Sequence, residues 1–111
     1  MRRPQLTETI TPKELQSLKE SRRNLTILDV RRKSDYDADP KGIPGATWRN
    51  PEAVEQWRDE LADQEVILYC VRGGSVSKSV SERLIEKNIN ARYIEGGIAA
   101  WKDSGGPVEE K

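Results

Sequence analysis

Glu65-Val66-Ile67-Leu68-Tyr69-Cys70 runs directly into Val71-Arg72-Gly73-Gly74-Ser75-Val76-Ser77. The first six residues form a short apolar run suited to a strand buried on both faces. The glycine pair breaks that run, and Val76, Val80, Leu84 and Ile85 then recur at helical spacing. A buried strand that turns through glycines into a helix is the unit from which parallel α/β sheets are built.

The rest of the chain repeats the alternation. Upstream, Thr11-Pro12-Lys13-Glu14 has the pattern of a capping box, with Thr11 as N-cap and Pro12 at the first helical position. Leu15 and Leu18 give that helix an inward face, ending near Ser21, and Leu25 to Val30 reads as a second buried strand. Gly42-Ile43-Pro44-Gly45 is a turn, and Ala46 to Trp48 a brief strand. Asn50-Pro51 opens a second helix with Ala53, Val54, Trp57 and Leu61 on its buried side. Downstream, Asn88 or Asn90 ends the third helix. Ala91 to Ile94 is a strand closed by Gly96-Gly97, and a last short helix carries Ile98 and Trp101 before Gly105-Gly106-Pro107. The expectation is an α/β fold with a mainly parallel sheet and helices on both faces. Sites in such sheets form beyond the carboxyl ends of the strands. Here that means Asp29-Val30-Arg31, Arg49-Asn50, Cys70 and Glu95-Gly96.

Composition removes most chemistry from consideration. The 111 residues include no histidine and a single cysteine. This excludes a Ser-His-Asp triad, a Cys-His pair, a histidine-based zinc helix, a C-x-x-C redox pair and an internal disulfide. The 19 basic residues are balanced by 19 acidic ones, so no bulk field attracts nucleic acid or anionic lipid. No apolar run is long enough to span a membrane. The expectation is one soluble cytoplasmic domain over residues 1–111, without metal or cofactor and without nucleic-acid or membrane partners.

Cys70 is the residue around which chemistry can be built. A glycine turn can aim successive N–H groups inward as an anion nest, and the following helix adds its unsatisfied N–H groups and positive dipole end. Both stabilise a thiolate without a basic side chain. The competing reading is a small apolar residue that merely finishes a buried strand.

The stretch Cys70 to Ser77 resembles the active-site loop of single-domain rhodaneses, the thiosulfate sulfurtransferases. Leu28-Asp29-Val30-Arg31 with Asp35-Tyr36 is similar to the family's first signature, and Gly42 to Ala46 to the turn after it. Ile94 to Trp101, with Gly106-Pro107-Val108, resembles the carboxyl-terminal signature, so the likeness runs in order from about residue 8 to 109. The resemblance implies a five-stranded rhodanese-like sheet and Cys70 as nucleophile. It would take a sulfane sulfur from thiosulfate or a persulfide donor and hold it as a persulfide. A small-thiol, protein-thiol or cyanide acceptor would then remove it. The backbone of Val71, Arg72, Gly73, Gly74, Ser75 and Val76 would bind that persulfide, and no general base is needed.

Two other functions remain open: a rhodanese-like carrier or binding module without turnover, and a phosphatase or arsenate reductase. The last needs an arginine in a C-x5-R loop to clamp a tetrahedral oxyanion, whereas Ser75 and Val76 stand fifth and sixth after Cys70. Arg72 either recognises a donor's sulfonate or points to solvent. Ser75 either offers its hydroxyl to the persulfide or caps the helix. Lys78 reads as solvated, and Gly73 and Gly74 as required for backbone shape. Asp29 and Arg31 read as a structural pair, with Arg31 also a candidate for the pocket. Arg49 is a second candidate, on a neighbouring strand end. The runs Arg22-Arg23 and Arg31-Arg32 read as solvated surface, and Trp48, Trp57 and Trp101 as packing residues. The chain departs from the family in two places. Gly42 stands where many members carry histidine, and the acidic stretch Asp35 to Asp39 is expected to alter one rim. The second domain of two-domain rhodaneses is absent from the sequence, so a shallow, open site is expected.

Overall fold

The computed structural model describes residues 8–21, 25–61, 64–72 and 74–110. Its centre is β5 (Glu65–Tyr69), which pairs in parallel with β2 (Thr26–Asp29) on one side and β6 (Asn90–Ile94) on the other. β1 (Glu8–Ile10) extends the sheet beyond β6, and β4 (Thr47–Trp48) extends it beyond β2. The five-stranded order is therefore β1-β6-β5-β2-β4, and every pairing is parallel. The expected sheet is present.

Each flank of β5 serves a separate core, which is why its sequence lacks polar alternation. Val66 and Leu68 face α4 (Ser75–Ile85) and the segment with Val54, Trp57 and Leu61. Ile67 and Tyr69 face α1 (Pro12–Ser21) and α5 (Gly97–Asp103), with Leu15, Ile98 and Trp101. Helix boundaries follow local chemistry. The Glu14 N–H donates to Thr11 Oγ1 at 3.1 Å and the Thr11 N–H to Glu14 Oε1 at 2.9 Å, the reciprocal capping box expected. Helix α4 stops where Asn88 takes φ 61° and the Ile89 N–H returns to the Leu84 carbonyl at 3.1 Å.

Other segments differ from expectation. The second helix is a 3₁₀ turn at Pro51–Ala53, one α turn, α3 (Val54–Trp57), and a further 3₁₀ turn at Arg58–Leu61. Of the expected Ala53, Val54, Trp57 and Leu61, the last three are buried and Ala53 is half-buried against them. The acidic stretch is a helix, α2 (Lys33–Ala38), with no buried residue. A two-stranded antiparallel ribbon joins β3 (Lys41–Gly42) to β7 (Glu109–Glu110). Among the described residues no helix is long and apolar enough to cross a membrane.

Candidate active site

Cys70 follows the last residue of β5 and is 6% exposed, one residue beyond the Asp29–Tyr69 register pair. The Val30 N–H donates to the Tyr69 carbonyl at 2.9 Å, so the chain after β2 runs beside the chain after β5. Helix α5 then holds the loop. The Ile98 N–H donates to the Cys70 carbonyl at 2.9 Å and the Ala99 N–H to the Val71 carbonyl at 3.1 Å. These are first-turn N–H groups of α5, otherwise unsatisfied, and they bring the helix's positive end to the loop. The peptides are trans, so each N–H points opposite to the carbonyl before it. The Val71 and Arg72 N–H groups are therefore turned away from α5, and neither has a backbone partner among the described residues. Gly74 opens α4, with its carbonyl accepting the Lys78 N–H at 3.2 Å.

The other expected site residues separate into distinct environments. Val71 and Val76 are half-buried, while Arg72, Gly74 and Lys78 are exposed. Gly73 and the Ser75 side chain lie outside the described residues. Gly74 has φ −91° and open space where a Cβ would project, so neither the left-handed region nor crowding requires glycine there. Ser77, in the first turn of α4, is wholly buried and its hydroxyl has no partner among the described residues.

Arg31 is not surface, contrary to the reading of the Arg31-Arg32 run. It is 1% exposed, its Nε donates to both Asp29 carboxylate oxygens at 3.0 Å, and its Nη2 donates to Asp29 Oδ2 at 2.7 Å. Its remaining donors reach the Asp39 carbonyl at 2.8 Å and the Lys41 carbonyl at 3.0 Å. Burial alone would lower its pKa, but the Asp29 hydrogen bond and charge prevail and hold the guanidinium above its ordinary range. The structural pair expected at the end of β2 is present, with all three guanidinium nitrogens engaged by protein. Beside it the Tyr69 phenol is pushed up by burial and then by the Asp29 charge, so it stays neutral; its oxygen accepts the Ile43 N–H at 3.3 Å. Arg49 donates to Glu60 at 2.8 Å and lies over the Trp57 ring, 5.9 Å from its centroid.

Two cavities flank the loop on opposite faces of the sheet. On the α5 face, an open cleft of 350 Å³ is lined by Arg31, Asp35, Asp39, Val71, Ile98, Ala99, Lys102 and Asp103. Across it Lys102 donates to Asp39 at 2.6 Å and holds that carboxyl below the usual aspartate range. On the α4 face, 330 Å³ is lined by Arg32, Pro51, Glu52, Val76, Ser79 and Val80. Glu52 and Ser79 are residues that the sequence reading passed over, and Arg32 is exposed, as the reading of it as solvated surface expected. The signal for its place at the cavity was its position directly after a strand end, two residues past Val30 and therefore on the same side of an extended chain. Cys70 lines neither cavity and is buried where the loop begins. Among the described residues no group of acids and the cysteine is arranged to hold a metal.

The segments that this geometry joins are the four that carried the resemblance. The family model of the rhodanese-like domain matches residues 11–104. The chain belongs to that family. A curated relative, the probable adenylyltransferase/sulfurtransferase MoeZ of Mycobacterium tuberculosis, is 31% identical over 97 residues, 84% of this chain. The chain spans only 24% of that relative's length. Among solved structures, a rhodanese-like domain protein from Staphylococcus aureus superposes with a TM-score of 0.79 at 27% identity, covering 95% of this chain and 99% of that one. A Rhodopseudomonas palustris protein described as a possible tyrosine phosphatase superposes with a TM-score of 0.77 at 26% identity, covering 93% and 85%. This rhodanese-like chain thus has a distant sulfurtransferase homologue.

Proposed function

We propose that this protein is a cytoplasmic sulfurtransferase that carries sulfane sulfur as a persulfide on Cys70. The observation that carries the reading is the pair of hydrogen bonds from Ile98 and Ala99 to the Cys70 and Val71 carbonyls. By engaging the carbonyls, α5 leaves the opposite, donor side of the same peptides available to an anion. The Cys70 thiolate attacks the outer sulfur of thiosulfate or of a persulfide donor; a sulfur–sulfur bond forms, and sulfite or a thiolate leaves with the electron pair of the broken bond. The terminal sulfur then lies roughly 2 Å beyond Sγ, the length of a sulfur–sulfur bond. That reach lets a cysteine only 6% exposed present its cargo. Loop amides from Val71 to Val76 support the terminal sulfur, with Arg72 facing the donor's anionic group. An external small-thiol, protein-thiol or cyanide acceptor removes the sulfur, because the sequence has no second cysteine to resolve it.

Phosphatase chemistry is the weaker reading. The clamp for a tetrahedral oxyanion requires an arginine at the end of the loop, where Ser75 and Val76 stand.

The test is a mass measurement on intact protein in buffer free of reductant. Thiosulfate is expected to add one sulfur to the wild type and nothing to Cys70→Ser, and cyanide or a thiol is expected to remove it. No adduct, or an adduct on the serine variant, would sink the proposal. An adduct that no acceptor discharges would identify a carrier module without turnover.

A further inference from the structure

Two buried hydroxyls on α4 have no hydrogen-bonding partner among the described residues. The buried residues described on this helix are Ser77, Val80, Ser81 and Leu84, at the spacing of a single face. Val80 and Leu84 pack into the core with Val30, Val66 and Leu68. Ser77 and Ser81 are both 0% exposed, yet the hydroxyl of each is unpaired. Buried hydroxyls are normally satisfied, so two of them one turn apart on one face call for a physical account.

Ser77 differs from Ser81 in where it stands along the sheet. β5 and β6 are parallel and α4 connects them, so α4 runs back along the strands. Its start therefore lies toward the carboxyl ends, where Cys70 is. Ser77 stands one turn, about 5 Å, beyond Val80 and Ser81 in that direction. On the strand side Leu68 faces α4, and alternation carries Cys70, two residues on, to the same face. Cys70 belongs to neither apolar core, although only 6% of it is exposed. Between the two residues Val71 and Val76 are half-buried, and Arg72 and Gly74 are exposed. The chain thus leaves the interior after Cys70 and re-enters it at Ser77, and the two are the buried ends of the loop on one face of the sheet. Ser77 makes no hydrogen bond to the bare Cys70 thiol.

We propose that Ser77 is a side-chain donor for the transferred sulfur: its hydroxyl is idle beside the bare thiol and donates to the terminal sulfur once Cys70 is loaded. The assignment rests on the persulfide reading above. A sulfur bonded to Sγ stands roughly 2 Å further out and is anionic, so it brings a stronger acceptor toward a donor that the thiol does not engage. Ser81, about 6 Å deeper along α4, is out of its reach. A hydroxyl unpaired in one state and paired in the next favours the loaded protein, because the cost of burying it unpaired falls on the bare state alone. Loading from thiosulfate is reversible. The Cys70 thiolate bonds to the outer sulfur, the donor's sulfur–sulfur bond breaks, and sulfite leaves with its electron pair; sulfite attacking the terminal sulfur undoes the step. Ser77 acts on the position of this equilibrium.

The experiment equilibrates the protein with fixed ratios of thiosulfate to sulfite and reads the loaded fraction by intact mass, for the wild type, Ser77→Ala and Ser81→Ala. Ser77→Ala is expected to lower the loading equilibrium constant about fivefold to tenfold, the loss of one net hydrogen bond. Ser81→Ala removes an equally buried and equally unpaired hydroxyl and is expected to leave that constant unchanged. Iodoacetamide alkylation of the bare thiol is expected to run at the same rate in all three, since the hydroxyl is idle in that state. Both variants are expected to unfold in urea no earlier than the wild type, because each loses a buried group without a partner. An unchanged loading constant in Ser77→Ala overturns the assignment, as does an equal fall in Ser81→Ala. A fall in alkylation that matches the fall in loading also overturns it, marking Ser77 as a residue that only shapes the loop. Uptake of no sulfur by the wild type overturns the persulfide reading and this one with it, whereas uptake that does not depend on Ser77 overturns only this one.

Discussion

Replacing Arg31 with methionine keeps most of the side-chain volume and removes the guanidinium that fills the space between β2, α2 and β3. The Asp29 carboxylate, 1% exposed, then loses its counter-ion and the three hydrogen bonds of 3.0, 3.0 and 2.7 Å that solvate it. Breaking a buried pair from one side costs about 3–5 kcal/mol, most of it the penalty on the stranded charge. The Asp39 and Lys41 carbonyls lose donors at 2.8 and 3.0 Å, but both sites are only part-buried, so water offsets much of that loss. A domain of this size is held by roughly 5–15 kcal/mol in all, so the variant is expected to stand near the edge of folding. Urea unfolding followed by tryptophan fluorescence, with linear extrapolation, reads the difference. The double variant Asp29→Asn, Arg31→Met removes the stranded charge and retains an oxygen for the Arg31 N–H, which Asp29 Oδ1 now accepts at 3.0 Å. It is expected to recover at least about 1 kcal/mol over the single variant. A single-variant cost below about 1 kcal/mol, or a double variant no better than the single one, would refute the account of this pair.

Two further predictions concern packing and pH. A Cβ at Gly106 would stand 2.4 Å from Trp101 Cε2, and that indole is wholly buried with its N–H donated to the Pro107 carbonyl at 2.7 Å. Gly106→Ala is therefore expected to cost about 1–3 kcal/mol in urea unfolding, and an unchanged midpoint would show that the indole can move without penalty. Because Lys102 lowers the Asp39 carboxyl in the folded state, the pair stabilises fully above the ordinary aspartate range, and that contribution fades as pH falls through it. With the side chains 37% and 44% exposed, Lys102→Ala is expected to cost no more than about 1 kcal/mol at neutral pH, less in high salt. A deficit that persists undiminished at about pH 2 would contradict this origin.

What was legible in the sequence follows from where burial leaves a mark. β2 and β5 are uninterrupted apolar runs because both faces are covered, and they were placed to within a residue or two. The Thr11–Glu14 capping box was readable because its residues satisfy one another locally. Helix α2 left no mark, because none of its residues is buried and it carries no apolar period. The β3–β7 ribbon depends on pairing between distant residues, and two-residue strands have too few positions to show alternation. The position of Cys70 was legible in its glycine turn. The difference between Arg31 and Arg32 was not, since two adjacent arginines look alike until the partners of each are known.

The grip of α5 on the Cys70 and Val71 carbonyls makes the loop's shape a property of the whole sheet rather than of its own eight residues. A peptide copied from Cys70 to Ser77 would not retain it. Neither would the same eight residues spliced onto a strand–helix turn in another protein, unless that protein also aimed a helix start at the two carbonyls. During synthesis the thiol emerges well before Gly97, Ile98 and Ala99, so its surroundings are assembled only after α5 has been made and has docked. Substitutions around Gly96, where φ is 79° and a Cβ would meet that of Ala100 at 2.5 Å, should accordingly disturb reactivity at a cysteine that they never touch.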